Sequence, residues 1–354
     1  MTTRFHFRRR TAASAPILLA ITGLTTPALA DDISIYGTMH YAWEVANTHD
    51  ATGDTTDDAT GVNHASVLGF EGSEDLGDGY KAFFVIESDI GGNLGSNNSF
   101  VGIDGEFGAI LLGQMDTPYK NATIDWNVWG DTSGDYIAII GADAAGNNNF
   151  DVLAPQAIAY ISPELDGLQF AIARIALKDT DTPGDKNDVA WSTSLTYDNG
   201  PLSAAIAYES HDGDTLGLGS TDAFGEDAWR IGAQYSFGDS TVAVVYEDIE
   251  HDDGTARQSR AAYWLSFTQQ VGNDTFNISY ARAGDSDVAG GDDGARQLTL
   301  GVQHAFSERT GIYALYSTVD NDRNAQYGLA GGGFAASGPG RDVDAFSFGI
   351  VHSF

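Results

Sequence analysis

The sequence predicts an all-β protein, a closed antiparallel barrel of about 16 strands that crosses a membrane. Three observations predict it. Apolar and polar residues alternate with a period of two through most of the chain. Tight turns alternate with longer polar connections. Apart from the N-terminal segment, no apolar run approaches the 18 residues of a membrane helix. A barrel needs no such run, because each strand hides its apolar face in the alternation.

The first thirty residues stand apart. Arg4, Arg8, Arg9 and Arg10 give a basic start, an apolar stretch runs from Ala12 to Leu24, and Pro27-Ala28-Leu29-Ala30 ends it. Basic, then apolar, then small is the order of a secretory signal peptide. Residues 1–30 are therefore set aside, and the barrel is assigned to 31–354. All 50 acidic residues of the chain lie beyond Ala30, whereas four of its 17 basic residues lie before it. The remaining 13 basic residues leave a strongly acidic protein, unsuited to nucleic acid or an anionic surface. With no cysteine, disulfides, thiolate sites and iron–sulfur clusters are excluded.

The strands are read from parity. Trp229, Ile231, Ala233, Tyr235 and Phe237 alternate with Arg230, Gly232, Gln234 and Ser236. The same holds for Tyr263, Leu265 and Phe267, for Phe276, Ile278 and Tyr280, and for Leu298, Leu300 and Val302. Successive side chains of a strand point to opposite faces, so each segment has one greasy and one wet face. A soluble sandwich would alternate too. Here the second face is small or polar, which suits a wet lumen. Trp191, Tyr197, Tyr208, Trp229, Phe237 and Tyr246 lie toward strand ends, as in the aromatic girdles of membrane barrels. Two stretches are ambiguous: Arg174 shares the face of Leu168, Phe170 and Ile172, and Tyr313 and Leu315 compete with Ile312 and Tyr316.

Tight connections rich in Gly, Asp, Asn and Pro fall at 75–79, 105–108, 165–167, 199–201, 237–240, 272–274 and 307–310. Longer ones fall around 48–60, 91–96, 117–154, 179–187, 212–225, 252–256, 284–294 and 321–340. Fifteen connections make 16 strands, an even number, with both termini on the short-turn side. Segment 117–154 is the longest, and loops of that length are functional or disordered. It carries Ile124, Trp126, Val128, Trp129, Tyr136, Ile137, Ile139 and Ile140, too apolar for a solvated tail. The inner barrel wall is available for it to pack against.

Several segments resemble the classical trimeric porins of proteobacteria. Ile35-Tyr36-Gly37 is similar to their L-Y-G. Leu68-Gly69-Phe70-Glu71-Gly72-Ser73-Glu74-Asp75-Leu76-Gly77-Asp78-Gly79-Tyr80-Lys81-Ala82 resembles their hairpin L-G-F-K-G-S-E-D-L-G-x-G-L-K-A. Ser99-Phe100-Val101-Gly102-Ile103, Phe107-Gly108, Gly113-Gln114-Met115-Asp116-Thr117-Pro118-Tyr119-Lys120 and Ala159-Tyr160-Ile161-Ser162-Pro163 continue the likeness to the terminal Phe354. The resemblance implies a general-diffusion porin of the Gram-negative outer membrane. It implies a homotrimer among outer-membrane lipid and lipopolysaccharide, a third loop folded into each pore, passage of small hydrophilic solutes and ions, and no cofactor.

In that family, basic residues on the wall oppose acidic ones on the loop. This chain departs from the pattern. Val67 and Glu71 stand in the S-R-L-G-F-K-G motif, Asn97 and Asn98 stand before S-F-V-G, and Gln114 stands in G-R-x-D-T-P. The wall candidates are Val67, Glu71, Lys81, Glu87, Arg230 and Arg260. The constriction candidates on the loop are Asp125, Trp126, Trp129, Asp131, Asp135, Tyr136 and Asp143. Fixed carboxylates in a narrow constriction enrich cations and repel anions. The alternative is a substrate-specific channel, for a sugar for example, using Trp126 and Trp129. No G-x-S-x-G, H-E-x-x-H or P-loop is present, and no enzymatic activity is expected. His211-Asp212 and His251-Asp252 are expected in loops, and the acidic loop tips as solvated turns.

Overall fold

The computed structural model describes residues 32–49, 55–56, 59–142, 150–176, 189–212, 225–252, 257–287 and 290–354. The leader therefore lies outside the described residues, as do Asp143 and part or all of six of the long connections. β1 is Asp32–His49. β2 comprises Thr60–Asn63 and Val67–Gly77, broken at His64–Ser66, where Ala65 adopts a φ of 45°. There follow β3 (Tyr80–Asp89), β4 (Ser99–Gly105), β5 (Gly108–Asp116), β6 (Leu153–Ile161), β7 (Leu168–Ala176) and β8 (Val189–Asn199). The second half holds β9 (Leu202–Asp212), β10 (Glu226–Phe237), β11 (Ser240–Asp252), β12 (Arg257–Val271), β13 (Asp274–Ala283), β14 (Ala295–Ala305), β15 (Thr310–Asn321) and β16 (Asp342–Ser353).

Each strand pairs antiparallel with the next, and β1 pairs with β16 from Thr38↔Ser353 to His49↔Asp342. The sheet is therefore a closed 16-strand barrel with no free edge, which a membrane requires because lipid offers backbone groups no partners. Phe354 extends the seam through paired backbone bonds to Gly37 of 3.0 and 3.2 Å, and its ring lies over Gly37.

The two faces separate as the alternation predicts. Leu195, Ile206, Ile231, Leu265, Ile278, Leu300, Phe346, Phe348 and Ile350 are exposed on the outside. A continuous exposed apolar band of this size belongs in lipid. Ser192, Ala207, Ala243, Ser279, Thr299, Ser317 and Ala345 line the inside and are buried. The ambiguous stretches resolve in the same terms. Arg174 points outward beside Trp191, its register partner, while Tyr313 and Leu315 turn inward. Tyr313 fits because it faces Gly349, whose missing Cβ would fall 2.3 Å from the ring. Tyr36 over Gly69 and Phe83 over Gly102 repeat the device.

Proline has no ladder donor, so the sequence leads one to expect Pro118, Pro155, Pro163, Pro183, Pro201 and Pro339 at strand ends or in connections; Pro155 instead lies inside β6, two residues from its start. It is tolerated because the β5–β6 register breaks there, between Gly113 and Met115. His211 and His251 also differ from expectation. They end β9 and β11, and His211 is buried between Glu209 and Glu226, 3.0 and 3.5 Å away. Strands on that side run further into the long-loop end than the Asp-rich sequence suggests.

Candidate functional site

The segment between β5 and β6 begins with a defined turn. Thr117 Oγ1 accepts a hydrogen bond from Lys120 N, and Pro118 occupies the first position of the one-turn helix α1 (Pro118–Asn121). Lys120 Nζ reaches back to Asp116, 2.9 Å away. α1 then places Tyr119 against the wall. Its N–H donates to Ser192 Oγ of β8 at 2.9 Å and its hydroxyl to Glu247 of β11 at 2.8 Å.

Glu247 is the hub of the site. It accepts from Tyr119, from Gly141 N at 2.8 Å, from Arg230 at 2.6 and 3.1 Å and from Arg260 at 3.3 Å. Arg230 of β10 also binds Asp151 at 2.8 Å and Thr123 at 3.2 Å, and its guanidinium sits 4.2 Å from the Tyr119 ring centre. Arg260 of β12 donates to the Ile139 carbonyl. All of these side chains are buried. Two cations and two carboxylates balance, so neither arginine projects uncompensated charge. Burial pushes the Asp151 carboxyl up to about 6, with Arg230 pulling it back.

The middle of the segment packs on β12 and β14. Tyr136 lies against Trp264, with ring centres 5.4 Å apart, and its hydroxyl meets Thr123. Trp126 covers Gly232, and Trp129 packs with Ala42, Tyr313 and Leu315. Gln297 donates to the Asp135 carbonyl at 3.1 Å. The Asp135 carboxylate accepts from Asn127, Asp131 N and Ile137 N. Burial, and then Asp131 beside it, push Asp135 up to about 7 against these three donors. On the far side of the segment, Gly331 approaches the Thr132 carbonyl so closely that a Cβ would fall 1.9 Å from it.

The predicted site residues therefore separate. Trp126, Trp129, Asp135 and Tyr136 are buried, whereas Asp125 and Asp131 are exposed. Val67, Glu71 and Lys81 share the inward face of β2 and β3. Lys81 stands beside the Gly77–Tyr80 turn with Asp75 and Asp104 as its register partners, and Glu71 faces Ser34 and Val85. Glu87 is fixed by Tyr36 at 3.0 Å and Asn98 at 2.9 Å, and Asn98 also touches Asp116. Gln114 spends its amide on the Asn97 and Gly95 carbonyls. The sequence reading missed Glu247, Asp151 and Tyr119. Glu247 was recoverable by counting outward from the Phe237–Ser240 turn, which sets it opposite Arg230. Asp151, across a long loop, was not.

Known proteins agree with this architecture. "Outer membrane porin protein 32" of Delftia acidovorans is 28% identical over 357 residues, covering 96% of this chain and 99% of that one. The major outer membrane protein P.IB of Neisseria meningitidis serogroup A is 28% identical over 316 residues, with 83% and 89% covered. Among solved structures, the anion-selective porin from Comamonas acidovorans superposes with a TM-score of 0.79 at 25% identity, covering 91% of this chain and 99% of that one. The trimer form of OmpT of Vibrio cholerae does so with a TM-score of 0.67 at 16% identity, covering 91% and 99%. The Gram-negative porin family matches residues 13–324, and the chain is a member of that family, an outer-membrane β-barrel channel protein.

Proposed function

We propose that this porin is a general-diffusion channel that prefers cations, with the loop at about 117–154, of which 117–142 and 150–154 are described, folded into the pore as its constriction. The bonds from that segment to Ser192, Glu247, Arg260 and Gln297, all on the inward face, support the placement. The observation that carries the selectivity is the fate of the wall cations. Arg230 and Arg260 are neutralised by Glu247 and Asp151 beneath the segment, and Lys81 is flanked by carboxylates at the short-turn mouth. Glu71 on the wall faces Ser34 and Val85, neither of them a cation, and Asp125 and Asp131 on the segment are exposed. The anion-selective porin from Comamonas acidovorans shares the fold at 25% identity. Selectivity follows the side chains of each pore, which identity at that level does not transfer.

The test is the reversal potential of the purified channel across a potassium chloride gradient. We expect cation preference at low salt, fading toward 1 M, where the screening length is about 3 Å. Anion preference at low salt overturns the reading. The sugar-specific alternative loses its anchor, since Trp126 and Trp129 are packed on the wall. Saturable solute block of the current would restore it. The homotrimer rests on the shared fold with a trimeric relative and on outward-facing Arg174, which a protomer contact would cover. Cross-linking in mild detergent that gives monomer alone argues against it. Export with cleavage after Ala30 is checked by N-terminal sequencing of the mature protein.

A further inference from the structure

Arginine is scarce in this acidic chain, yet two arginines stand side by side on the outer wall. Arg282 of β13 and Arg296 of β14 are register partners, both exposed, at the long-loop end of their strands. Tyr263 and Asp320 complete that row on β12 and β15. Arg296 shares Asp320 at 2.8 Å. Like charges directly opposite on adjacent strands repel, so the pair is best satisfied by an anion that bridges it. Tyr263 and Tyr280, with ring centres 6.1 Å apart, place an aromatic shelf beside it.

Two outward rows further down the same strands, the wall is concave. Phe267, Ile278, Leu300, Tyr316 and Phe346 form one row, and Ala314 leaves a gap in the next. Together they line a groove of about 480 Å³ with almost no polar surface. Four residues of strand separate it from the arginines, roughly 13 Å. That is the distance from a lipid phosphate to the upper part of its own acyl chain. The chain as a whole is strongly acidic, so two exposed arginines facing each other across adjacent strands give this row the charge that complements a phosphate.

We propose that this wall holds a phosphate-bearing lipid, its phosphate on Arg282 and Arg296 and an acyl chain in the groove over Ala314. The inference rests on the reading of the outer face as lipid-facing.

The test uses the full mature protein, delipidated in non-ionic detergent and titrated by native mass spectrometry. The probes are a diacyl phosphatidylglycerol, a phosphatidylcholine with the same chains, and glycerol phosphate without chains. Phosphatidylglycerol should be retained about tenfold more strongly than phosphatidylcholine, the scale of two surface arginines partly shared with a carboxylate. Glycerol phosphate should bind far more weakly. R282Q/R296Q should abolish the preference, and A314W should weaken both lipids. Equal retention of the two lipids, or a preference that survives R282Q/R296Q, overturns the proposal. So does A314W if it dissolves the oligomer, because the groove is then a contact between copies. Conductance of the same preparations in planar bilayers separates the two failures. Channels that conduct but show no lipid preference refute this site alone, while protein that neither inserts nor conducts refutes the channel reading beneath it.

Discussion

Replacing Glu247 by Gln should widen and unsettle the pore. The side chain keeps its shape, but the charge that binds Arg230 and Arg260 is gone. Arg230 retains Asp151, and Arg260 retains the Ile139 carbonyl. A buried ion pair broken from one side costs about 3–5 kcal/mol. The cost falls on the anchors that hold both Tyr119 and Gly141. The local charge also moves from balanced to one excess positive. An ion passing about 8 Å away, at an effective dielectric of 20, feels roughly 2 kcal/mol of that charge before screening. Single-channel recording at low salt should show larger, noisier openings and a reversal potential displaced toward anions. The R230M/E247Q double variant removes one charge of each sign and leaves Arg260 and Asp151 in balance, so its reversal potential should return most of the way to the parent. If E247Q leaves conductance, noise and reversal potential unchanged, the segment is not held by this network and the reasoning fails.

The remaining predictions follow from single contacts. Asp135 is raised to about 7 in the folded protein, so its contribution to stability is complete below the ordinary carboxylate range near pH 3.8 and is lost as pH rises through about 7. Open-channel noise should therefore grow between about pH 5 and 8 in the parent and stay flat in D135N; parallel profiles would exclude Asp135 as the cause. G349V places a branched side chain where the Tyr313 ring lies, an overpacking cost of about 1–3 kcal/mol. It should lower the temperature at which the folded band disappears on a gel, whereas G272V, at a turn whose Cβ would meet nothing but whose φ is 62°, should disturb the wall less. E71Q/D125N should reduce cation preference without changing stability, read from reversal potential and thermal unfolding together. An unchanged reversal potential would place selectivity in the acidic outer loops.

The barrel was legible because alternation, turn chemistry and strand count depend on local spacing. Phe354 on the outer face, and the sequence of tight and long connections, required no tertiary information. Where local signals competed, the wall decided. Tyr313 and Leu315 face inward because Gly349 leaves room for a ring, a condition set by a strand 36 residues away in sequence.

The site divides along the same line. Sequence parity put Val67, Glu71, Lys81, Arg230 and Arg260 on the inward face, and the length and apolar content of 117–154 singled out the segment proposed to fold there. Parity cannot say which inward charges meet water. Arg230 and Arg260 read as lumen cations, yet the structure buries both, Arg230 against Tyr119, Glu247 and Asp151, and Arg260 against Glu247 and the Ile139 carbonyl. Asp135 reads as an acidic pore residue, yet burial leaves it near neutrality's edge while Asp125 and Asp131 keep their exposure. The physical reason is that face follows from a two-residue repeat along one strand. The charge a residue presents depends on desolvation and on partners brought together only when a long loop folds back across strands distant in sequence.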